Sequence, residues 1–233
     1  MATKIEWTDE SWNPISGCTS ISEGCQNCYA KRMANRLRGR YGYPKDEPFE
    51  VTYHPDKFGR LWKLKKPRMI FTCSMGDLFH HSVPNKWICD VINEVYTCQN
   101  HTFLFLTKRP ERMRYFFRDY NADDWSNFPN LWLGVTAENQ KRADERIPIL
   151  LQIPAAVRFV SVEPMLERMY ISKYLYNQLD WVICGAETGP GARYMQPQWA
   201  YHLYDQCKRA ETPFFFKKAS KGTIIDLPRE YPK

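Results

Sequence analysis

The sequence has no long apolar run of the kind that membrane spans and secretory signals use. No apolar run approaches the ~18 residues that a membrane-spanning helix needs. The amino terminus, MATKIEWTDESW, has no apolar stretch of the kind found in secretory signals. We therefore expect a cytoplasmic protein with no membrane partner. Thiols stay reduced in that compartment, so clustered cysteines there indicate metal binding or catalysis more often than disulfides.

Two other absences concern the fold. The sequence has no internal repeat and no low-complexity tract. It also has no G-x-G-x-x-G motif, the phosphate fingerprint that a doubly wound sheet often carries after its first strand. What is present suits a folded protein, because 233 residues with 43% hydrophobic and 15% aromatic content are ample for a core. The net charge of +7 is compatible with nucleic acid and equally with an ordinary basic surface.

Short apolar segments rich in β-forming residues recur along the chain, as expected of parallel strands that are buried on both faces. A further strand is expected near SWNPISG, residues 11–17. Segments with helical spacing of apolar residues lie between the strands, so the pattern indicates βα units. The predicted strands are 68–74, 102–108, 131–137, 157–163, 180–187 and 213–219, and the predicted helices are 83–100, 139–153 and 196–210.

This pattern predicts an α/β fold, a partial or complete TIM-like (βα) barrel of parallel strands with about six to seven βα units. We expect one domain over residues 1–233, with a doubly wound open sheet as the second choice. Residues 36–66 are basic, aromatic and rich in glycine and proline. They predict a long loop, insertion or lid of the composition that grips phosphates and stacks bases, or else a solvated connector.

Three of the eight cysteines, Cys18, Cys25 and Cys28, stand close together as C-x6-C-x2-C. Gly17 and Gly24 each precede a cysteine and allow tight turns. Plain structural cysteines and a thioredoxin-like C-x-x-C are two interpretations. A [4Fe–4S] cluster is another, in which three ligands leave one iron open for a small molecule such as S-adenosylmethionine. A zinc site is the fourth and needs one more ligand. Candidates for that ligand are His54, Cys73, His80 and His81.

Polar residues follow nearly every predicted strand. Because the carboxyl ends of the strands in a βα barrel form one face, we expect the functional site there. The glycine-rich loop 185–195, GAETGPGARYM, predicts an anion-binding turn with Arg193 beside it. The residues after the strands are Asp77, Lys108, Glu138, Glu163, Glu187, Lys217 and Lys218.

Six segments together carry a resemblance to known proteins. They are WNPISGCTSISEGCQNCYAKRMA, CSMGDLFH, FLFLTKRPERM, WLGVTAEN, FVSVEPML and GAETGPGARYM. The chain resembles a radical S-adenosylmethionine enzyme. More closely, it is similar to an uncharacterised phage-associated family with a three-cysteine motif, over about residues 12–220. The common loop of the superfamily is C-x3-C-x2-C with an aromatic residue before the last cysteine, whereas here Tyr29 follows the last cysteine.

The resemblance implies a [4Fe–4S] cluster on Cys18, Cys25 and Cys28, S-adenosylmethionine as cofactor and an external electron donor. Reduction of the bound S-adenosylmethionine would give a 5′-deoxyadenosyl radical. Cofactor-binding roles are implied for Tyr29, Ser74, Gly76, Asp77, Thr136, Glu138 and Glu163.

Catalytic roles are implied for Lys108, Glu187 and His80. Lys108 would meet the S-adenosylmethionine carboxylate or a substrate phosphate, and a buried-facing lysine is expected to have a partner such as Glu163. Glu163 and Glu187 have an alternative as ion-pair partners of the cations Arg193, Lys217 and Lys218. His80 would act as a proton shuttle or substrate ligand.

These expectations predict a radical S-adenosylmethionine enzyme that acts on an undetermined substrate. The basic, aromatic segment favours nucleic acid or a nucleotide as that substrate, in modification or repair. The alternative is a non-catalytic, zinc-stapled nucleic-acid-binding phage protein.

Overall fold

A sheet of seven parallel strands organises the protein. The computed structural model describes residues 5–120, 128–176 and 178–232. Each strand of this sheet lies beside the strand of the sheet that comes next along the chain. Its strands are β1 (Glu10–Trp12), β4 (Met69–Thr72), β5 (Thr102–Thr107), β6 (Leu131–Thr136), β7 (Val157–Val162), β8 (Trp181–Gly185) and β9 (Phe214–Lys218).

All six strands predicted from the apolar segments are confirmed, and the further strand expected near residues 11–17 is β1. The chain returns from strand to strand mostly through helices on the outer face of the sheet, which is the arrangement that parallel pairing requires. The helices are α1 (Tyr29–Leu37), α2 (Asn85–Thr97), α3 (Pro110–Arg114), α4 (Gln140–Leu150), α5 (Ser172–Leu175) and α6 (Pro197–Arg209), with a π-helical stretch at Tyr115–Tyr120 after α3.

The sheet is curled into a half-barrel. Side chains from β4 at one side and β9 at the other meet in one buried cluster on its inner face. Phe71, Phe159 and Trp181 pack there around Trp7, whose ring centroid lies 4.7 Å from that of Phe71. The aromatic cluster fills the amino-terminal half of the interior, which leaves the carboxyl ends of the strands to form a cavity.

A small antiparallel pair stands outside the main sheet. It joins β2 (Ile15–Ser16) to β3 (Thr52–Tyr53), so the segment around residues 36–66 folds back against the chain that leads into the cysteines. The buried ring of His54 reinforces this contact through a 2.7 Å hydrogen bond with the Ser16 hydroxyl. The predicted loop or insertion therefore contains packed structure of its own.

None of the helices in the described parts of the chain has the length and apolar character needed to cross a lipid bilayer.

Candidate functional site

A cavity of about 220 Å³ opens at the carboxyl ends of the strands. Its floor includes Ile5 and Trp7, and its walls include residues of β4, β5, β6, β7 and β9 and of the loop that follows β8. All three cysteines of the C-x6-C-x2-C motif line it. The predicted site residues that also line it are Tyr29, Ser74, Gly76, Asp77, Lys108, Thr136, Glu163 and Glu187.

Two glycines bring the cysteine segment onto the end of β4. Gly17 and Gly76 form an isolated parallel bridge, and the Gly17 N–H donates to the Met75 carbonyl at 3.0 Å. A Cβ on Gly76 would lie 2.8 Å from the Gly17 carbonyl oxygen, and one on Gly17 would lie 2.0 Å from the Glu50 carbonyl oxygen. Gly17 also has φ +87°, a region that side-chain-bearing residues rarely adopt. Both positions therefore require glycine.

Glu138 fixes the second half of the cysteine segment. Its Oε1 accepts from the Gly24 N–H at 3.2 Å, and its Oε2 accepts from Arg146 Nη1 at 2.8 Å. Burial raises the pKa of this carboxyl, but the nearby cations Arg146 and Lys108 hold it below its usual value. Glu138 is fully buried and does not line the cavity, so the structure places this predicted cofactor ligand in a supporting position.

Cys18 lies against a buried ion pair. Arg109 Nη1 donates to the Cys18 thiol at 3.2 Å and to Asp77 Oδ2 at 2.9 Å. Asp77 also accepts from the Thr107 hydroxyl at 2.7 Å, which joins the ends of β4 and β5. Burial and the Asp77 charge raise the pKa of the Cys18 thiol to about 11, against the opposing effect of Arg109. The structure thus uses Asp77 to hold the arginine that contacts Cys18.

His80 stands behind the same loop, outside the cavity lining. Its Nδ1 accepts from the Ser82 N–H, which leaves Nε2 as the donor to the Thr19 hydroxyl at 2.9 Å. Burial, helped by the charge of Arg109, lowers the pKa of His80 to about 4. At neutral pH this imidazole is uncharged and holds Thr19 in place.

Cys25 differs from Cys18 in its readiness to ionise. Burial raises the pKa of the Cys25 thiol, but backbone hydrogen bonds from Ile21 and Ser22 and the positive charge of Lys108 together bring it below its usual value. The Ser22 hydroxyl lies 3.7 Å from the Cys25 sulfur. Cys25 therefore forms a thiolate more readily than Cys18 does. The thiolate is the form of cysteine that binds metals.

Lys108 and Glu163 face the cavity with unused bonding capacity. The carboxylate partner suggested for Lys108 is taken, because Glu163 Oε2 accepts from Lys217 Nζ at 2.9 Å. Among the described residues, Lys108 forms no ion pair, and the buried Oε1 of Glu163 has no hydrogen-bond partner. Buried polar groups are usually satisfied, so an unsatisfied carboxylate oxygen and an unpaired lysine on the wall of one cavity would suit a zwitterionic or polar ligand.

Glu187 forms an ion pair with Arg193, which is one of the ion pairs predicted as an alternative to a catalytic role. Arg193 Nε donates to Glu187 Oε2 at 2.8 Å, and Asn27 Nδ2 donates to the same oxygen at 2.9 Å. Burial would raise the pKa of Glu187, but the hydrogen bonds from Arg193 and Asn27 lower it to about 2. Asn27 lies between Cys25 and Cys28, so this carboxylate connects the loop after β8 to the cysteine segment.

Tyr29 and Ser74 meet at the rim of the cavity. The Tyr29 hydroxyl donates to the Ser74 carbonyl, while the residue as a whole stays 46% exposed. Asn13 Oδ1 accepts from both the Ser74 hydroxyl and the Met75 N–H and so fixes the turn after β4. Sequence reasoning missed Asn13, although it lies within the WNP motif.

Thr136 and Ser161 place two hydroxyl groups side by side. They are paired across β6 and β7, both are buried, and both line the cavity. Ser161 was not predicted. The signal was present, because Ser161 precedes Glu163 by two residues and therefore points to the same face of its strand.

The sequence suggests two metal centres for this cavity, a zinc site and a [4Fe–4S] cluster. No three His, Cys, Asp or Glu side chains among the described residues are arranged to hold a metal ion, so the zinc alternative gains no support from their positions. A [4Fe–4S] cluster binds cysteine thiolates on separate irons. The three cysteines of the motif supply the ligand type of such a cluster, line one cavity and include one thiol with a lowered pKa.

The five cysteines outside this motif are also free thiols. Cys73, Cys98, Cys184 and Cys207 are buried, and burial raises the pKa of each thiol. Cys73 contributes to the cavity wall. Buried thiols that ionise poorly are poor metal ligands. The accessible thiol donors of the cavity are therefore those of the C-x6-C-x2-C motif.

Comparison with known proteins gives one family. A family model described as "Protein of unknown function (DUF5131)" matches residues 2–226. No curated protein and no protein of solved structure gives a significant match.

Proposed function

We propose that this chain, which belongs to the family described as "Protein of unknown function (DUF5131)", is a radical S-adenosylmethionine enzyme on a partial TIM-like barrel. The observation that carries the proposal is the shared cavity. Cys18, Cys25 and Cys28 line it at the carboxyl ends of the strands, beside the unpaired Lys108 and the unsatisfied Glu163 oxygen. These three cysteines would hold a [4Fe–4S] cluster, and S-adenosylmethionine would be the cofactor.

When bound, a cluster with an open iron supplies an electron from an external donor for cleavage of the sulfonium C–S bond of S-adenosylmethionine, which yields methionine and a 5′-deoxyadenosyl radical. The residues of the chain bind and orient. The Lys108 ammonium group would bind the methionyl carboxylate, and Glu163 Oε1 would accept from an N–H of the methionyl amino group. The second interaction would satisfy the buried Glu163 oxygen, which has no hydrogen-bond partner, and the first would pair a half-buried lysine that forms no ion pair among the described residues.

The neighbouring hydroxyls of Thr136 and Ser161 suit the paired hydroxyl groups of a ribose, because a hydroxyl both donates and accepts. Glu138 holds Gly24, and the ion pair of Asp77 with Arg109 holds Cys18, so these groups position the cysteine loop. Glu187 does the same through Asn27. The substrate class we propose is nucleic acid or a nucleotide, acted on in modification or repair.

The test begins with protein purified without oxygen and reconstituted with iron and sulfide. We expect brown protein with about four irons and four sulfides per chain. With dithionite as reductant it should convert S-adenosylmethionine to 5′-deoxyadenosine. Colourless protein that carries stoichiometric zinc after this reconstitution would contradict the proposal.

Two cysteine variants make the test specific. Cys25→Ala should lose iron and 5′-deoxyadenosine formation, because it removes the thiolate that the cavity favours. Cys207→Ala, a fully buried thiol on α6, should retain both. Equal iron content and equal product from the two variants would overturn the assignment of the ligands.

A further inference from the structure

A stretch of the chain beside the cavity is strongly basic and contains no acidic residue. Residues 29–45, YAKRMANRLRGRYGYPK, form α1 and the turn after it, and we call them the 29–45 surface. Acidic residues resume only at Asp46 and Glu47. The proposed reaction uses none of the basic side chains of this surface. These are Lys31, Arg32, Arg36, Arg38, Arg40 and Lys45.

The positive charge of this surface is not balanced within the protein. None of its lysines and arginines forms an ion pair with a carboxylate in the described parts of the chain. All except the half-buried Arg32 are exposed. The arginines around the cavity itself are paired, as Arg109 is with Asp77 and Arg193 is with Glu187. An acid-free group of exposed cations is the electrostatic footprint expected for a polyanion.

The 29–45 surface begins at the rim of the cavity. α1 follows directly after Cys28, and Tyr29 at its first position lines the cavity. Arg32 donates to the Thr188 carbonyl at 2.9 Å across the rim. Nine helical residues span ~13 Å. The distance from the cavity to the basic side chains beyond Arg32 is therefore no longer than a few nucleotides of a single strand.

An aromatic ring stands out into solvent in the same turn. Tyr41 is 73% exposed and has φ +55°, a conformation that is unfavourable for a bulky residue. The turn is nevertheless fixed, because the Gly39 N–H donates to the Tyr43 carbonyl at 3.1 Å and the Tyr43 ring packs 5.6 Å from the buried His54. Strained residues held in place by their surroundings often mark binding sites.

We propose that the 29–45 surface binds single-stranded nucleic acid, with phosphates on Arg36, Arg38 and Arg40 and a base stacked on Tyr41. The strand continues past Tyr29 and presents a nucleotide to the cavity. Delivery to the cavity rests on the proposed function, whereas binding to the surface does not.

Single-stranded nucleic acid is the occupant that the observations favour. Cations along a path with an aromatic ring among them are the combination that grips a sugar–phosphate backbone and stacks bases. A base can enter a cavity only when it is out of a duplex stack, and this is least costly in a single strand. An anionic lipid surface would use the charges but gives no reason for the ring or for the adjoining cavity.

The test measures binding of a fluorescently labelled oligonucleotide of about 15 nucleotides by anisotropy, with protein that lacks iron and S-adenosylmethionine. Arg36→Gln, Arg38→Gln and Arg40→Gln are combined in one variant. We expect it to bind at least tenfold more weakly. The slope of log affinity against log salt should fall by about 2, since a single strand contributes about 0.7 per phosphate contact.

Three other exposed cations provide a matched control variant. Lys65, Lys66 and Arg68 are exposed and precede β4, at the opposite end of the strands from the cavity. Changing all three to glutamine removes the same charge and should leave binding within twofold. Equal losses in the two triple variants would overturn the proposal, because binding would then follow net charge alone.

The ring is tested separately. Tyr41→Ala should weaken binding by about fivefold or more, and Tyr41→Phe should retain wild-type binding, because stacking needs the ring and not the hydroxyl group. Preference for the duplex form of the oligonucleotide, or tighter binding to phosphatidylserine vesicles, would contradict the proposal. The assay needs no cluster, so loss of S-adenosylmethionine cleavage with intact oligonucleotide binding would refute only the proposed reaction.

Discussion

At the scale of single residues, the carboxylates around the cavity divide into those that bind the protein and those left for a ligand. Glu138, Asp77 and Glu187 each accept at least two hydrogen bonds from neighbouring groups of the chain. Glu163 keeps one buried oxygen free. A carboxylate bound on both oxygens by the protein holds the site together, whereas a half-satisfied one is available for recognition.

Glu187 gives a pH-dependent prediction. Its pKa is about 2 in the folded protein and 4.5 for the ordinary carboxyl group, so the ionised form favours folding. This stabilisation, about 3 kcal/mol from the shift, is fully present above pH ~4.5 and is lost as the pH falls towards 2. Glu187→Gln should therefore reduce the free energy of unfolding at pH 7, and the difference from wild type should shrink between pH ~4.5 and ~2. Urea unfolding followed by circular dichroism measures it.

Glu23 provides the control for that experiment. The pKa of Glu23 is also lowered to about 2, through a hydrogen bond with its own backbone and one from Arg142, but its side chain is 47% exposed. Solvent screens exposed pairs, so Glu23→Gln should change the unfolding free energy far less at every pH. A pH-independent difference for Glu187→Gln would contradict the assigned cause.

At the scale of elements, the cysteine segment is held to the sheet by backbone contact. The Gly17–Gly76 bridge lets the loop before Cys18 approach β4 closely, and the Gly24 N–H bond to Glu138 holds the loop before Cys25. The motif is thereby placed over the carboxyl ends of several strands.

Gly17→Ala tests this attachment. The added methyl group would lie 2.0 Å from a backbone oxygen and would also strain a residue with φ +87°, so the segment must move. We expect a loss of unfolding free energy well above the 1–3 kcal/mol of backbone strain alone and reduced iron incorporation on reconstitution. Urea unfolding and iron analysis measure the two effects.

Gly222→Ala separates strain from collision. Gly222 has φ +81°, and a Cβ there would meet nothing within 4 Å. This variant should lose only the strain contribution and keep its iron content. If the two alanine variants lost the same stability, close packing of the cysteine loop would not be the reason for Gly17.

The strands and the three long outer helices could be predicted because their signal is local. Buried parallel strands read as apolar runs, and the helices between them have helical spacing. The β2–β3 pair could not be predicted in this way, since it joins two-residue strands about 37 positions apart. The choice of ion-pair partners at the site could not be predicted either, because Lys217 reaches Glu163 only through the curl of the sheet.

At the scale of the whole molecule, the half-barrel is closed below the cavity by its own aromatic side chains. Trp7, which precedes β1, contacts rings from β4, β7 and β8. The segment after β9 joins the same cluster. Its Glu230 carbonyl accepts from the Trp181 indole at 2.8 Å, and its Tyr231 ring packs on that indole. Segments from both ends of the described chain thus converge on one cluster, so the floor of the site depends on the closure of the entire fold.

Trp7→Ala should therefore destabilise the protein globally. The side chain is 1% exposed, and deletion of a buried tryptophan leaves a large cavity, so we expect a loss of about 3 to 5 kcal/mol in unfolding free energy. Trp62→Ala is the matched control, because Trp62 is 63% exposed and its hydrogen bond with Glu94 is worth about 1 kcal/mol or less. Urea unfolding of both variants decides the matter. Comparable losses would mean that Trp7 does not close the half-barrel and that the cavity floor has another origin.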